Sequence, residues 1–77
     1  MALEVLYFGS LVDITGLSKQ EFTSIADTDS LVQQLQTDYP ALRTTKFFIA
    51  VNQQMIQSNK ALNHGDIVAL MPPFSGG

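Results

Sequence analysis

The spacing of hydrophobic residues along the chain predicts five β-strands. They are rich in branched and aromatic residues, which suit a pleated, half-buried surface. The predicted strands are Ala2–Phe8, Lys19–Ile25, Phe47–Val51, Gln54–Ile56 and Ile67–Met71. Because side chains alternate between the two faces of a strand, the first strand divides into two rows. One row holds Leu3, Val5 and Tyr7, and the other holds Glu4, Leu6 and Phe8.

Two segments are expected to be helical, one of them long. The hydrophobic stripe of the long helix repeats every four residues, at Leu31, Leu35 and Tyr39. Thr28 is suited to cap its start, and Pro40 disfavours helical geometry at the preceding residue. The predicted range is therefore Thr28–Tyr39. A shorter helix is predicted at Ser10–Thr15, with Gly16 suited to end it.

These elements follow the order β, short α, β, α, β, β, β, which predicts an α+β fold. We expect a mixed sheet of four to five strands that wraps over the one main helix. The first and last strands, both apolar, are expected to be adjacent and central. A β-grasp (ubiquitin-like) domain over residues 1–71 fits this order, although the order alone does not exclude other small α+β folds. Residues 72–77 are predicted to form an extended C-terminal tail.

The composition is that of a small folded domain with apolar surface left over. A chain of 77 residues buries only about 60–65% of the surface that its unfolded form exposes. With 45% hydrophobic and 14% charged residues, it is expected to expose an apolar partner site. The net charge of −3 and the scattered basic residues argue against nucleic acid. The absence of cysteine excludes a disulfide or a thiol nucleophile.

Few residues of the chain are suited to catalysis. His64 is the single histidine, lies in a predicted turn beside Gly65, and is expected to be an exposed loop residue. The acidic residues show no metal-ligand spacing, and no glycine-rich phosphate loop occurs. Asp27 and Asp29 are expected to stabilise the start of the long helix, and Asp66 the turn. We therefore expect no metal site and no chemistry by this chain alone.

The N-terminal segment contains no basic leader, and no apolar run approaches the ~20 residues that span a membrane. We therefore expect a cytoplasmic location and no membrane contact.

The segment Pro72–Gly77 is the most informative part of the sequence. The two prolines favour an extended start, and six extended residues reach roughly 20 Å. Phe74 offers one apolar anchor and Ser75 is small, while Gly76 and Gly77 leave a slim tip whose reactive group is a carboxylate. The pattern predicts an arm that enters a narrow slot in a partner. The alternative is a frayed terminus with incidental glycines.

Three further residues are candidates for a partner surface. If Leu70 points to the helix, Met71 points outward beside the arm, and Phe8 and Met55 share that face. Methionine is adaptable and frequent at binding surfaces, but it is also common in cores. The core and surface interpretations of these three residues have equal weight.

The chain resembles the small, sulfur-carrying subunits of molybdopterin synthase, a family of ubiquitin-like β-grasp carriers. The resemblance covers nearly the whole chain. It is carried by Val5-Leu6-Tyr7-Phe8, by Thr28 with Leu31-Val32 and Leu35, by Ala50-Val51-Asn52-Gln53, by Gly65-Asp66-Ile67-Val68-Ala69 and by Pro72-Pro73-Phe74-Ser75-Gly76-Gly77. Ile67 departs from the family, in which an acidic residue often follows the Gly-Asp turn.

The resemblance implies a mechanism centred on Gly77. A separate activating enzyme would adenylate its carboxylate with ATP, and a sulfur donor would then displace AMP to leave a thiocarboxylate. The large subunit of a heterotetrameric synthase would receive the arm, and the sulfur would pass to cyclic pyranopterin monophosphate to build a dithiolene. No cofactor would be bound by this chain. The residues that dock would be Phe8, Met55, Met71, Pro72, Pro73, Phe74, Ser75 and Gly76.

Other functions remain open on the residues alone. The first is a sulfur carrier on the same fold that serves thiazole synthesis or tRNA thiolation. The second is a ubiquitin-like modifier joined through Gly77 to lysines of other proteins. The third is an interaction module with an inert tail.

Overall fold

The computed structural model of the chain describes residues 2–73. In chain order its elements are strand β1 (Ala2–Tyr7), helix α1 (Ser10–Thr15), strand β2 (Lys19–Thr23), helix α2 (Thr28–Asp38), a 3₁₀ turn (Pro40–Arg43), and strands β3 (Phe48–Val51), β4 (Gln54–Ile56) and β5 (Ile67–Met71). Helix α1 and strands β4 and β5 have the predicted bounds. Within residues 2–73, no helix is long and apolar enough to cross a membrane.

The five strands form one mixed sheet in the order β2-β1-β5-β3-β4. Strands β1 and β5 are parallel neighbours, and the other pairs are antiparallel. The predictions that the sheet is mixed and that the first and last strands are adjacent and central are confirmed. Because β1 and β5 run in the same direction, the chain leaves β5 after Met71 at the same end of the sheet at which β1 ends.

The core lies between one face of this sheet and α2. Leu3, Val5 and Tyr7 of β1 are buried there, as are Leu31 and Leu35 of α2. Their spacings of two and four residues match a strand and a helix that face each other. The predicted stripe of α2 is therefore its core side.

Tyr7 and Tyr39 bring hydroxyl groups into this apolar layer. Both hydroxyls donate to Oε1 of Gln20, at 2.8 and 3.1 Å respectively. Burial, with the neighbouring Tyr39 and Asp38, raises the pKa of the Tyr7 phenol well above its ordinary value. The phenol stays neutral and acts as a donor, so the core carries no charge at this position.

The start of α2 differs from the sequence prediction. The N-cap is Asp27, not Thr28, because a carboxylate oxygen of Asp27 accepts the amide of Ser30 at 2.8 Å. Thr28 is buried instead, where its hydroxyl contacts Asn59 and accepts the Lys60 amide. The sequence contains two adjacent residues that can cap a helix, and only the loop at Asn59 decides between them.

Other element bounds differ by one or two residues. Strand β1 ends before Phe8, β2 ends at Thr23 rather than Ile25, α2 ends before Tyr39 and β3 begins after Phe47. The predicted connector Ala41–Lys46 contains most of the 3₁₀ turn. These are the frayed ends at which local hydrogen bonding, and not side-chain pattern, sets the boundary.

A network around Asp66 joins the β3–β4 turn to the start of β5. The turn residues Asn52 and Gln53 have φ of 51° and 70°, as a tight hairpin requires. Asp66 accepts Nδ2 of Asn52 at 3.0 Å on one oxygen and the Asn63 amide at 2.8 Å on the other. These bonds lower the pKa of Asp66 below its ordinary value of 3.8. The prediction that Asp66 serves the turn is confirmed.

The substitution Asp66→Asn is expected to lower the thermal midpoint at pH 7, because the two donors contact different carboxylate oxygens and the NH₂ group of asparagine would replace one of these acceptors. A carboxyl whose pKa is lowered on folding stabilises the folded state at pH values above its ordinary pKa of 3.8. That stability is lost as the pH falls through the folded pKa, so the difference between the proteins should shrink below about pH 4. Thermal scans from pH 7 to pH 2 measure this, with Asp13→Asn as the charge-matched control. A difference that stays constant down to pH 2 would contradict the role of the carboxylate.

Candidate functional site

The sheet face opposite α2 is apolar and uncovered within residues 2–73. Strand alternation and register decide which side chains it presents. Ala69 lies beside Leu6 of β1 and Ala50 of β3, while Met71 lies opposite Phe48. Met55 lies opposite Ala50. We call this surface the outer apolar face; its members are Leu6, Phe8, Phe48, Ala50, Met55, Ile67, Ala69 and Met71.

Four large side chains of this face are widely exposed. The exposed fractions are 45% for Phe8, 49% for Phe48, 56% for Met55 and 44% for Ile67. Met71 is half-buried between strands β1 and β3. A contiguous surface of this kind on a small domain indicates a protein partner, whereas scattered apolar residues do not.

Three of these residues were predicted from the sequence. The core interpretation is wrong for Phe8 and Met55, which are exposed on the outer apolar face. Met71 lies on the same face, as its position next to the buried Leu70 requires. The structure thus places Phe8, Met55 and Met71 on one surface, although their roles in binding remain a prediction.

Phe48 and Ile67 also lie on this face, and sequence reasoning missed them. The sequence did contain a signal, because both residues belong to predicted strands that are apolar on both faces. The runs Phe47–Val51 and Ile67–Met71 have no polar member. A strand with one face in water normally alternates, so a continuous apolar run indicates that both faces are covered in the functional state.

Charged residues line one border of the outer apolar face. Glu4 of β1 lies between Glu21 of β2 and Ile67 of β5, and Lys19 of β2 lies opposite Leu6. The charged residues are thus on β1 and β2, and none lies on the path from Met55 through Ala50 and Ala69 to Met71. The apolar surface continues to the point where the chain leaves β5.

The start of the tail lies next to the turn that follows β1. Pro72 is half-buried and Pro73 is exposed. The amide of Phe8 donates to the carbonyl of Leu70 at 3.1 Å, which joins the end of β1 to the end of β5. The other predicted tail residues, Phe74, Ser75, Gly76 and Gly77, lie outside the described residues. Their predicted roles are therefore not tested by the structure.

His64 is located at the opposite end of the sheet. It is exposed, as predicted, and its Nδ1 accepts the amide of Ala2 at 2.9 Å. It borders a cleft of about 430 Å³ whose walls include Leu3, Phe22 and Leu62. Within residues 2–73, no three His, Asp or Glu side chains are close enough to hold a metal ion.

Comparisons with known proteins agree with this arrangement. The ThiS family model matches residues 5–77. The molybdopterin synthase sulfur carrier subunit of Chlamydomonas reinhardtii is 38% identical, over all of this chain and all of that protein. The subunit of the same description from Mycobacterium tuberculosis is also 38% identical, over 97% of this chain and 96% of that protein.

A solved structure extends the likeness to three dimensions. It is a protein–protein complex of subunits 1 and 2 of the molybdopterin-converting factor from Helicobacter pylori. A chain of that complex is 26% identical, with a TM-score of 0.74 over the full length of both chains. The predicted β-grasp fold is confirmed by this likeness together with the sheet and its single main helix. By sequence and by fold, the chain belongs to the ThiS family, and it matches sulfur carrier subunits of molybdopterin synthase along its full length.

Proposed function

We propose that this chain is the sulfur carrier subunit of a molybdopterin synthase. The observation that supports this most strongly is the full-length match to carriers of that function, at 38% identity in two distant organisms. The geometry is consistent with it, because an apolar face extends without interruption to the base of a tail that ends in Gly76-Gly77. A carrier needs these two parts, a surface for docking and a slim reactive arm.

The chemistry occurs at the Gly77 carboxylate. A separate activating enzyme joins this carboxylate to the AMP portion of ATP, and pyrophosphate leaves. Sulfur supplied at the oxidation level of sulfide then attacks the acyl carbon, AMP leaves, and a thiocarboxylate remains. Its sulfur is ionised and nucleophilic at neutral pH. Neither step requires an acid, a base or a cofactor from this chain, in keeping with the few catalytic residues of the sequence.

The thiocarboxylate is then used in complex with a large subunit. That partner covers the outer apolar face, and the arm from Pro72 to Gly77 enters its active site with Phe74 as an apolar anchor. The sulfur bonds to cyclic pyranopterin monophosphate, water cleaves the resulting thioester and restores the Gly77 carboxylate, and two such deliveries build the dithiolene of molybdopterin. The Helicobacter pylori complex of subunits 1 and 2 supports this assignment of the partner.

The direct test is the intact mass of the chain purified from its own host, with fragmentation of its C-terminus. A fraction that carries sulfur in place of one oxygen at Gly77 is expected. A chain that keeps a free carboxylate after incubation with ATP, a sulfur donor and host extract would contradict the proposal. An isopeptide bond from Gly77 to a lysine of another protein would instead identify a modifier.

A further inference from the structure

Gly9 lies at the junction between β1, α1 and the tail. Its φ of 57° and ψ of −134° belong to a region that only glycine occupies readily. Hydrogen bonds hold this turn on both sides. The amide of Phe8 donates to Leu70 of β5, and the carbonyl of Gly9 accepts the amide of Val12 in α1. The turn is therefore joined by hydrogen bonds to both β5 and α1.

Pro72 is in contact with this turn. A Cβ atom built on Gly9 would lie 2.8 Å from Cγ of Pro72 and 3.4 Å from its Cδ. The first distance is below van der Waals contact, so the proline ring occupies the space that any other residue at position 9 would fill. Because Pro72 directly follows β5, this contact acts on the first residue of the tail.

We infer that Gly9 is a positioning residue for the C-terminal arm, because its missing side chain lets Pro72 pack against the β1–α1 turn. The inference rests on the proposed function, in which the arm is the reacting part. The strand fixes the chain up to Met71, and the proline ring fixes φ of residue 72. The contact with Gly9 also limits sideways movement of the Pro72 ring. An arm whose base is held in one direction loses less entropy when it enters a narrow slot.

The chain offers matched controls for this inference. Gly16 and Gly65 also have positive φ, of 75° and 86°, but a Cβ at either position meets nothing within 4 Å. Alanine is strained at all three positions, and it is more strained at Gly9 than at Gly16, whose ψ of 8° places it in the left-handed helical region that other residues can reach. Alanine at position 9 alone also displaces Pro72.

The experiment compares Gly9→Ala, Gly16→Ala and Gly65→Ala in ATP-dependent activation by the host's activating enzyme. All three variants should lose thermal stability, Gly9→Ala the most, so each is assayed at a temperature at which it is fully folded. Under that condition only Gly9→Ala should lower kcat/KM for the carrier, by roughly tenfold, because more of the arm must then be ordered on binding. A kcat/KM for Gly9→Ala equal to those of the two controls would overturn the inference.

A double-mutant cycle isolates the contact itself. Pro72→Ala removes the Cγ atom that the new methyl group would meet. The penalty of Gly9→Ala on kcat/KM should therefore be smaller in the Pro72→Ala background than in the wild type. Equal penalties in both backgrounds would show that Gly9 acts through the fold and not through the arm.

A nuclear Overhauser effect between Gly9 Hα and the Pro72 ring, measured on the isolated chain, separates this inference from the proposed function. It is expected in the wild type and should be lost when Gly9 is replaced by alanine. Its absence from the wild type would overturn the inference whatever the chain does. A wild-type chain that shows the effect but is never activated would instead refute the proposed function, and with it the need to position an arm.

Discussion

A chain extended by one alanine after Gly77 is expected to lose ATP-dependent activation completely. The added residue removes the carboxylate from Gly77 and places a methyl-bearing residue at the tip. The proposed slot, shaped for two glycines, would exclude that methyl group, and the acyl carbon would be displaced by one residue from the site of adenylation. Pyrophosphate exchange by the activating enzyme measures the first step, and intact mass measures the thiocarboxylate.

The matched control adds the same alanine before Met1, which leaves the tail unchanged and should retain full activation. Gly76→Leu provides a second variant, with the carboxylate in place but a side chain too large for the slot. It should also prevent activation. Normal adenylation of either C-terminal variant would refute the view that a narrow tip and a free Gly77 carboxylate are both required.

The second large effect is expected from Met55→Asp on the outer apolar face. Met55 is 56% exposed, so the isolated domain should tolerate the change with little loss of stability. In the complex the new carboxylate would be buried against an apolar surface without a cation. Such uncompensated charges at interfaces cost about 2–5 kcal/mol. We therefore expect affinity for the large subunit to fall by about 100-fold, as measured by calorimetry.

Leu17→Asp is the control for this substitution. Leu17 is a large apolar residue with a similar exposure of 41%, but it lies in the loop between α1 and β2 and not on the outer apolar face. It should leave the affinity unchanged. Equal loss for Leu17→Asp and Met55→Asp would indicate a general effect of charge. Unchanged affinity for Met55→Asp would exclude this face as the docking surface.

The stability of the domain does not require large apolar side chains on the outer apolar face. The core between the sheet and α2 is formed by the other row of each strand, so residues such as Phe48 and Ile67 add nothing to it. They expose apolar surface to water, a cost that burial against a partner would offset.

The sequence by itself determined most elements of this protein and predicted a reactive tail. The spacing of Leu31 and Leu35 located α2, Gly16 ended α1, and the apolar runs marked the strands, because each of these signals depends on neighbours within a few residues. The segment Pro72–Gly77 predicted a slim arm because Gly76 and Gly77 have no side chains, and this remains a prediction since residues 74–77 lie outside the described residues.

Only the tertiary structure decided how distant segments meet. Asp27 is the N-cap of α2 because Thr28 is hydrogen-bonded to Asn59 and Lys60, about thirty residues later in the chain. Phe48 and Ile67 joined Phe8 and Met55 on one surface because the register of β3 and β5 aligns them. The contact of Gly9 with Pro72 likewise joins two ends of the chain. The hydrophobic pattern within one segment cannot predict such contacts, because they depend on strand order and on the packing of residues far apart in sequence.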